Sequence, residues 1–104
     1  MKRRFVVADN AMSDEQEKQF IAWLRDEVRV GWWHYLKGFW LIADRYERIS
    51  ATAIRDKLKM IKSPLGAILV MEIHDDITWA GVHLPGRTDT FDWLPRQWTG
   101  ENGD

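Results

Sequence analysis

The sequence predicts a single α+β domain with the element order β-α-β-β-α-β. Its clearest signal is a hairpin within residues 31–44, where two aromatic and apolar runs flank Lys37-Gly38. The second signal is a pair of segments, one before and one after this hairpin, whose apolar residues recur at helical spacing. The chain has 104 residues, which is enough for one domain and too few for two.

The chain begins with a strand and a helix. Residues 3–8 are apolar through their second half, which favours a central strand. Two turn-favouring residues, Asp9 and Asn10, end this strand. The run Ser-Asp-Glu-Gln that begins at Ser13 has the form of a capping box, and helical spacing continues to about Val28. We therefore expect one helix that lies with one face on a sheet.

The hairpin supplies the second and third strands. Residues 32–36 and 39–43 are predicted to be antiparallel strands, and Gly38 is expected to adopt the positive φ of a tight turn. The later strand is apolar at every position, which suits burial on both faces. The earlier strand alternates more and carries His34, so it is expected at an edge of the sheet.

A second helix and a fourth strand follow. Ser50 can cap a helix that runs from Ala51 to about Ile61, and residues 67–73 form the last strand. The resulting order is the split βαβ pattern of ferredoxin-like domains. Right-handed crossovers then place both helices on one face of a four-stranded antiparallel sheet, with the first and third strands central.

The predicted domain spans residues 1–98. Its core is residues 3–73, and residues 77–98 form a C-terminal extension in which Pro95 is expected to close a helical turn. Residues 99–104 are expected to be a flexible tail.

Seven tryptophans are an unusual number for a chain of this length. The side chain of tryptophan is large and rigid, and it is enriched both in cores and in interfaces. We expect the extension to place its aromatic side chains over the open sheet face or onto a partner subunit. The residues predicted to form a dimer or packing surface are Trp32, Trp33, Tyr35, Trp40, Trp79, Trp93 and Trp98.

The composition predicts a cytoplasmic protein with no membrane span. No apolar run reaches the roughly 18 residues that a transmembrane helix needs, and the run after the basic start is too short for a signal peptide. The chain has no cysteine, which excludes disulfides and thiolate zinc sites. The net charge of −1 argues against a protein that coats nucleic acid generally.

Four segments of the chain resemble a group of small bacterial and phage proteins. The segments are residues 5–9, 31–42, 51–58 and 67–73, of which Trp-Trp-His and Ile-Arg-Asp-Lys-Leu are the more specific parts. The chain is similar to proteins labelled SinR-like, which are related in fold to the smallest CRISPR adaptation protein, a ferredoxin-like homodimer. The resemblance spans roughly residues 3–81, and it implies the fold and a homodimer.

The same resemblance implies a catalytic and metal-binding role for Asp9. In the CRISPR-adaptation relatives, an aspartate at the end of the first strand lies at the dimer axis and is associated with divalent-metal-dependent nuclease activity. Two carboxylates facing each other across such an axis would favour a cation such as Mg²⁺ between them. The alternative is that Asp9 only ends the strand and caps the turn before Ser13.

A basic stripe is the candidate nucleic-acid-binding site. Arg55, Lys59 and Lys62 are spaced i, i+4 and i+7 on the second helix, and Arg45 and Arg48 could join them. Such a cluster can contact phosphates, and its binding would be salt-dependent. The alternative is an ordinary solvated helix face.

Three hypotheses about function follow. The first is a homodimeric binding module of bacterial or phage origin that binds nucleic acid or a protein. The second is a Mg²⁺-dependent endonuclease that uses Asp9 from both subunits. The third is a toxin–antitoxin or phage anti-defence component that acts by binding a host protein.

Overall fold

The computed structural model describes residues 2–10, 12–61, 66–74 and 80–98. The predicted site residues Lys62 and Trp79 and the predicted tail 99–104 lie outside the described residues. Within the described ranges, no helix is long and apolar enough to cross a membrane.

The structure has the predicted order of strands and helices. In chain order, the elements are β1 Arg3–Asp9, α1 Asp14–Ala22, β2 Gly31–Leu36, β3 Phe39–Asp44, α2 Ala51–Ile61 and β4 Ile68–Ile73. Two short π-helical turns are also present, at Trp23–Glu27 and Leu94–Trp98.

The four strands form one antiparallel sheet in the order β2-β3-β1-β4. The prediction that β1 and β3 are central and that β2 and β4 are edges is therefore confirmed. At the middle of the sheet, Val7 lies opposite Trp40 on one side and Val70 on the other. The arrangement is the ferredoxin-like α+β fold predicted from the sequence.

Both helices pack on the same face of the sheet. Most buried residues of this core come from alternate positions of β1 and β3, from one face of each helix and from the π-helical turn after α1: Phe5, Val7, Phe20, Leu24, Trp40, Ile42, Ile54 and Leu58. Alternation along the strands is what places these sheet residues on a single face. The core thus fixes α1 and α2 against the two central strands.

Helix α1 begins as the sequence predicts and ends differently. The Ser13 hydroxyl accepts a hydrogen bond from Gln16 N (3.1 Å), and Gln16 Oε1 accepts one from Ser13 N (2.9 Å), which completes the capping box. The α-helical pattern stops at Ala22 and continues as a π-helical turn, in which Val28 N donates to Trp23 O (3.1 Å). The helical segment therefore ends near Val28 as predicted, but its last turn is π-helical and not α-helical.

The sheet face opposite the helices is covered in part. Trp33 and Leu41 of the sheet form a second buried cluster with Leu94 and Trp98 of the extension. Pro95 lies inside the π-helical turn of this extension, so the prediction that Pro95 closes a helical turn is wrong. Proline is tolerated there because the first turn of a helix leaves its N–H groups unpaired.

Candidate functional site

Asp9 joins the end of β1 to two neighbouring segments. Its Oδ1 accepts a hydrogen bond from Met12 N (3.1 Å), and its Oδ2 accepts one from the indole Nε1 of Trp40 (3.1 Å). The Asp9 backbone N donates to Gly38 O (2.8 Å) at the hairpin turn. Asp9 therefore caps the turn that leads to α1, which is the role that the alternative interpretation gave it.

One chain alone offers little for a metal ion at Asp9. Each carboxylate oxygen already accepts one hydrogen bond, although each keeps a second lone pair. Among the described residues, no three His, Asp or Glu side chains are grouped so that they could hold a metal ion. A magnesium ion at Asp9 would need further oxygen ligands from a second copy of the chain or from a bound phosphate.

His34 packs beside the same tryptophan. Its ring lies parallel to the Trp40 ring, with centroids 3.6 Å apart and an interplanar angle of 2°. Its Nδ1 is 2.9 Å from Phe39 O, and its Nε2 is 3.2 Å from Glu17 Oε2. Both ring nitrogens therefore lie beside oxygen atoms, and these contacts hold the ring between β3 and α1.

Lys37 extends this group of side chains to the surface. Its Nζ lies 3.1 Å from Glu17 Oε2 and 3.8 Å from Asp14 Oδ1. The hydrogen bond to Glu17 raises the pKa of Lys37 above its ordinary value. We call Asp9, Glu17, His34, Lys37 and Trp40 the hairpin-tip network. It links the β2–β3 turn, α1 and the end of β1. Its hydrogen bonds and ion pairs therefore stabilise the packing of these three segments.

The basic stripe on α2 is partly neutralised by its own helix. Arg55 donates through Nε and Nη2 to Asp56 Oδ1 at 3.1 and 2.9 Å. Lys59 is exposed on the same helix, and Lys62 lies outside the described residues. An arginine that is paired with a neighbouring carboxylate must leave that partner before it contacts a phosphate, and this exchange reduces the free energy gained by binding the phosphate.

The two arginines of the β3–α2 loop have different environments. Arg48 Nη1 donates to Val28 O and to Arg29 O, both at 3.2 Å, and its guanidinium lies 5.1 Å from the centroid of the Tyr46 ring. Arg48 thus binds carbonyl groups that follow the π-helical turn after α1. Arg45 is exposed in the same loop.

The predicted aromatic surface is largely internal to the chain. Trp33, Trp40 and Trp98 are buried, and Trp32, Tyr35 and Trp93 are half-buried. The Trp33 indole N–H donates to Thr90 O (2.6 Å), which fastens the extension to β2. Of the two roles predicted for these residues, packing within the chain is the one that these contacts describe.

The sequence reasoning missed a different apolar surface. Leu69 and Met71 of β4 point to the sheet face that the extension covers only in part, and they remain 57% and 46% exposed. The sequence contains a signal for this surface. The run Ile-Leu-Val-Met-Glu-Ile has apolar residues on both faces of a strand that is expected at an edge of the sheet.

A comparison of the chain with protein-family models, curated proteins and solved structures finds no match. The resemblance to the SinR-like and CRISPR-adaptation proteins therefore stays a prediction from the sequence.

Proposed function

We propose that the protein is a homodimeric binding module and that its two subunits meet at strand β4. The observation that carries this proposal is the exposure of Leu69 and Met71 on the uncovered part of the sheet face. Neighbouring exposed apolar side chains on a strand are typical of a surface that a partner covers.

The free edge of β4 supports the same surface. In the sheet formed by the described residues, β4 is bonded only to β1, so its other edge can accept a further strand. The opposite edge, β2, is less suited to this role, because a register shift interrupts its pairing with β3 between Trp33 and Leu36. Pairing of β4 with its own copy would give a continuous sheet and would bring both pairs of exposed side chains together.

The proposal is tested by light scattering with two matched methionine variants. Met71→Lys places a charge in the proposed interface, and Met60→Lys places the same charge on α2, where Met60 is 76% exposed. We expect the unmodified chain and Met60→Lys to have the mass of a dimer at high concentration, and Met71→Lys to remain monomeric. A monomer at all concentrations, or equal effects of the two variants, would refute the proposal.

Salt dependence distinguishes the two ligand classes proposed for this module, nucleic acid and protein. Nucleic acid would bind through phosphate contacts from Lys59 and Arg45, and its affinity would fall as the salt concentration is raised. The affinity of a protein partner that docks on the apolar surface would depend much less on the salt concentration. Lys59→Gln should weaken a nucleic acid ligand and leave an apolar protein contact unchanged. Binding of a mixed oligonucleotide pool at two salt concentrations separates these outcomes.

The nuclease hypothesis stays a prediction that depends on Asp9. RNA and DNA cleavage with and without Mg²⁺ tests it, with Asp9→Asn as the variant. Asparagine keeps one acceptor oxygen of the two that Asp9 uses, so the stability of the variant must be measured beside its activity. Cleavage that this change leaves intact would exclude Asp9 as the catalytic group.

The host-protein hypothesis is tested by capture from a bacterial lysate.

A further inference from the structure

The extension and the sheet enclose an apolar pocket on the face opposite the helices. Its volume is about 390 Å³, within the range of small-molecule sites. Two strands supply one wall and the extension supplies the other, and the principal lining residues are Trp33, Phe39, Leu41, Phe91, Leu94 and Trp98. The pocket opens to solvent beside Leu36 and Val82, which are 49% and 90% exposed.

The lining determines the charge of a ligand. Among the described residues, none of the side chains that line the pocket is charged. Its main polar groups are already paired, because Thr90 O accepts from the Trp33 indole (2.6 Å) and Thr90 Oγ1 accepts from Leu84 N (3.2 Å). A charged molecule would lose its hydration there without a compensating partner, whereas a neutral apolar molecule gains free energy by leaving water.

The shape of the walls determines the size and flatness of a ligand. A cavity of about 150 Å³ accommodates one benzene molecule, so a pocket of about 390 Å³ accommodates about two rings. Trp33 and Phe91 are close to parallel, with an interplanar angle of 17° and centroids 5.7 Å apart. Because these two rings stack on each other and leave no room for a third ring between them, a planar molecule would pack against the side of this aromatic pair that faces the pocket.

We propose that this pocket binds a small, neutral, planar molecule of about two aromatic rings. The site is separate from the β4 surface, because it lies against β2 and β3, towards the opposite edge of the same sheet face. It therefore does not depend on the proposed dimer.

The test uses two fluorescent probes that differ mainly by one charge. 2-Naphthol is uncharged at neutral pH, and 2-naphthalenesulfonate carries a sulfonate on the same two fused rings. We expect saturable binding of the neutral probe at one site per chain and about tenfold weaker binding of the sulfonate. Equal affinities, or binding that does not saturate, would overturn the proposal.

Two variants and one spectroscopic readout locate the binding site. Leu36→Asp puts a carboxylate at the mouth of the pocket and should weaken the neutral probe about tenfold, while Met60→Asp on α2 should have no effect. In two-dimensional NMR spectra, the probe should shift the indole N–H signal of Trp33 and not that of Trp40, which packs on the opposite face. A shift of the Trp40 signal instead, or equal weakening by both variants, would place the probe elsewhere and refute the assignment.

Discussion

The turn of the β2–β3 hairpin offers a sharp test of how the backbone fixes this fold. Gly38 has a φ of +73°, in the region that side chains disfavour. A Cβ added at Gly38 would lie 2.7 Å from the Asp9 carbonyl oxygen, closer than real Cβ atoms approach an oxygen. The Gly38 carbonyl also accepts the hydrogen bond from Asp9 N (2.8 Å). Gly38→Ala therefore perturbs the turn and the end of β1 together.

The expected loss follows from three contributions to the free energy of unfolding. A left-handed conformation costs an alanine about 1–2 kcal/mol, and the lower entropy of the unfolded variant offsets about 0.4–1 kcal/mol of this. Moving the Asp9 carbonyl away strains a hydrogen bond worth about 0.5–1.5 kcal/mol, and residual crowding adds to that. We expect Gly38→Ala to lower the stability by about 1–3 kcal/mol.

Gly86 provides a matched control. Its φ is +78°, and a Cβ added there would meet no atom within 4 Å. Gly86→Ala therefore has the energetic cost of the left-handed backbone conformation but no steric contact of its Cβ. We expect it to lower the free energy of unfolding by about 1 kcal/mol or less. The difference between the two variants isolates the close approach of Gly38 to Asp9.

Urea unfolding followed by tryptophan fluorescence measures both variants. For a domain of this size, a loss of about 1 kcal/mol lowers the melting temperature by about 4–8 °C, so thermal unfolding followed by circular dichroism gives a second estimate. Equal losses in Gly38→Ala and Gly86→Ala would refute the role of the contact with Asp9. No loss in either variant would refute the argument from positive φ.

Three further predictions concern the other contacts described above. His34→Phe keeps a ring beside Trp40 and removes both polar contacts, so urea unfolding should show a loss of about 1–3 kcal/mol; unchanged stability would mean that these contacts contribute nothing. Gly81→Ala would place a Cβ 2.5 Å from the Phe91 ring, so the extension should be cleaved faster in limited proteolysis; cleavage at the original rate would contradict this. The hydrogen bond from Arg87 lowers the pKa of Asp89, so the contribution of this pair is present at neutral pH and is lost as the pH falls through the lowered pKa. Arg87→Gln should raise that pKa in a carboxyl NMR titration, and an unchanged pKa would contradict the attribution.

Local signals in the sequence predicted much of the fold. Ser13 begins α1 because its hydroxyl and the Gln16 side chain pair with the backbone groups that the helix leaves free. Gly38 marks the hairpin turn because a positive φ is needed there. Strand β3, which is apolar from Phe39 to Ala43, lies at the centre of the sheet, and the more alternating β2 lies at an edge.

Other features depend on contacts between distant residues. The Asp9 carboxylate accepts a hydrogen bond from the Trp40 indole, 31 positions away, and no local pattern in the sequence predicts that pair. The π-helical turn after α1 shares its apolar spacing with an ordinary helix, so periodicity cannot distinguish the two. The partial cover of the open face likewise depends on the bond between the Trp33 indole and Thr90 O, which joins residues 57 positions apart.

The open face of the sheet is divided between the two proposed sites, and this division makes them separable by experiment. The pocket lies against β2 and β3, and the proposed interface lies on β4, with β1 between them. Adjacent strands are about 4.8 Å apart, so β3 and β4 are about 10 Å apart, and the side chains that line the pocket are different from those of the proposed interface. Probe affinity should therefore not change with protein concentration. If the probe instead competes with self-association, and Leu36→Asp produces monomers, then the pocket receives a side chain of a second copy and not a small molecule.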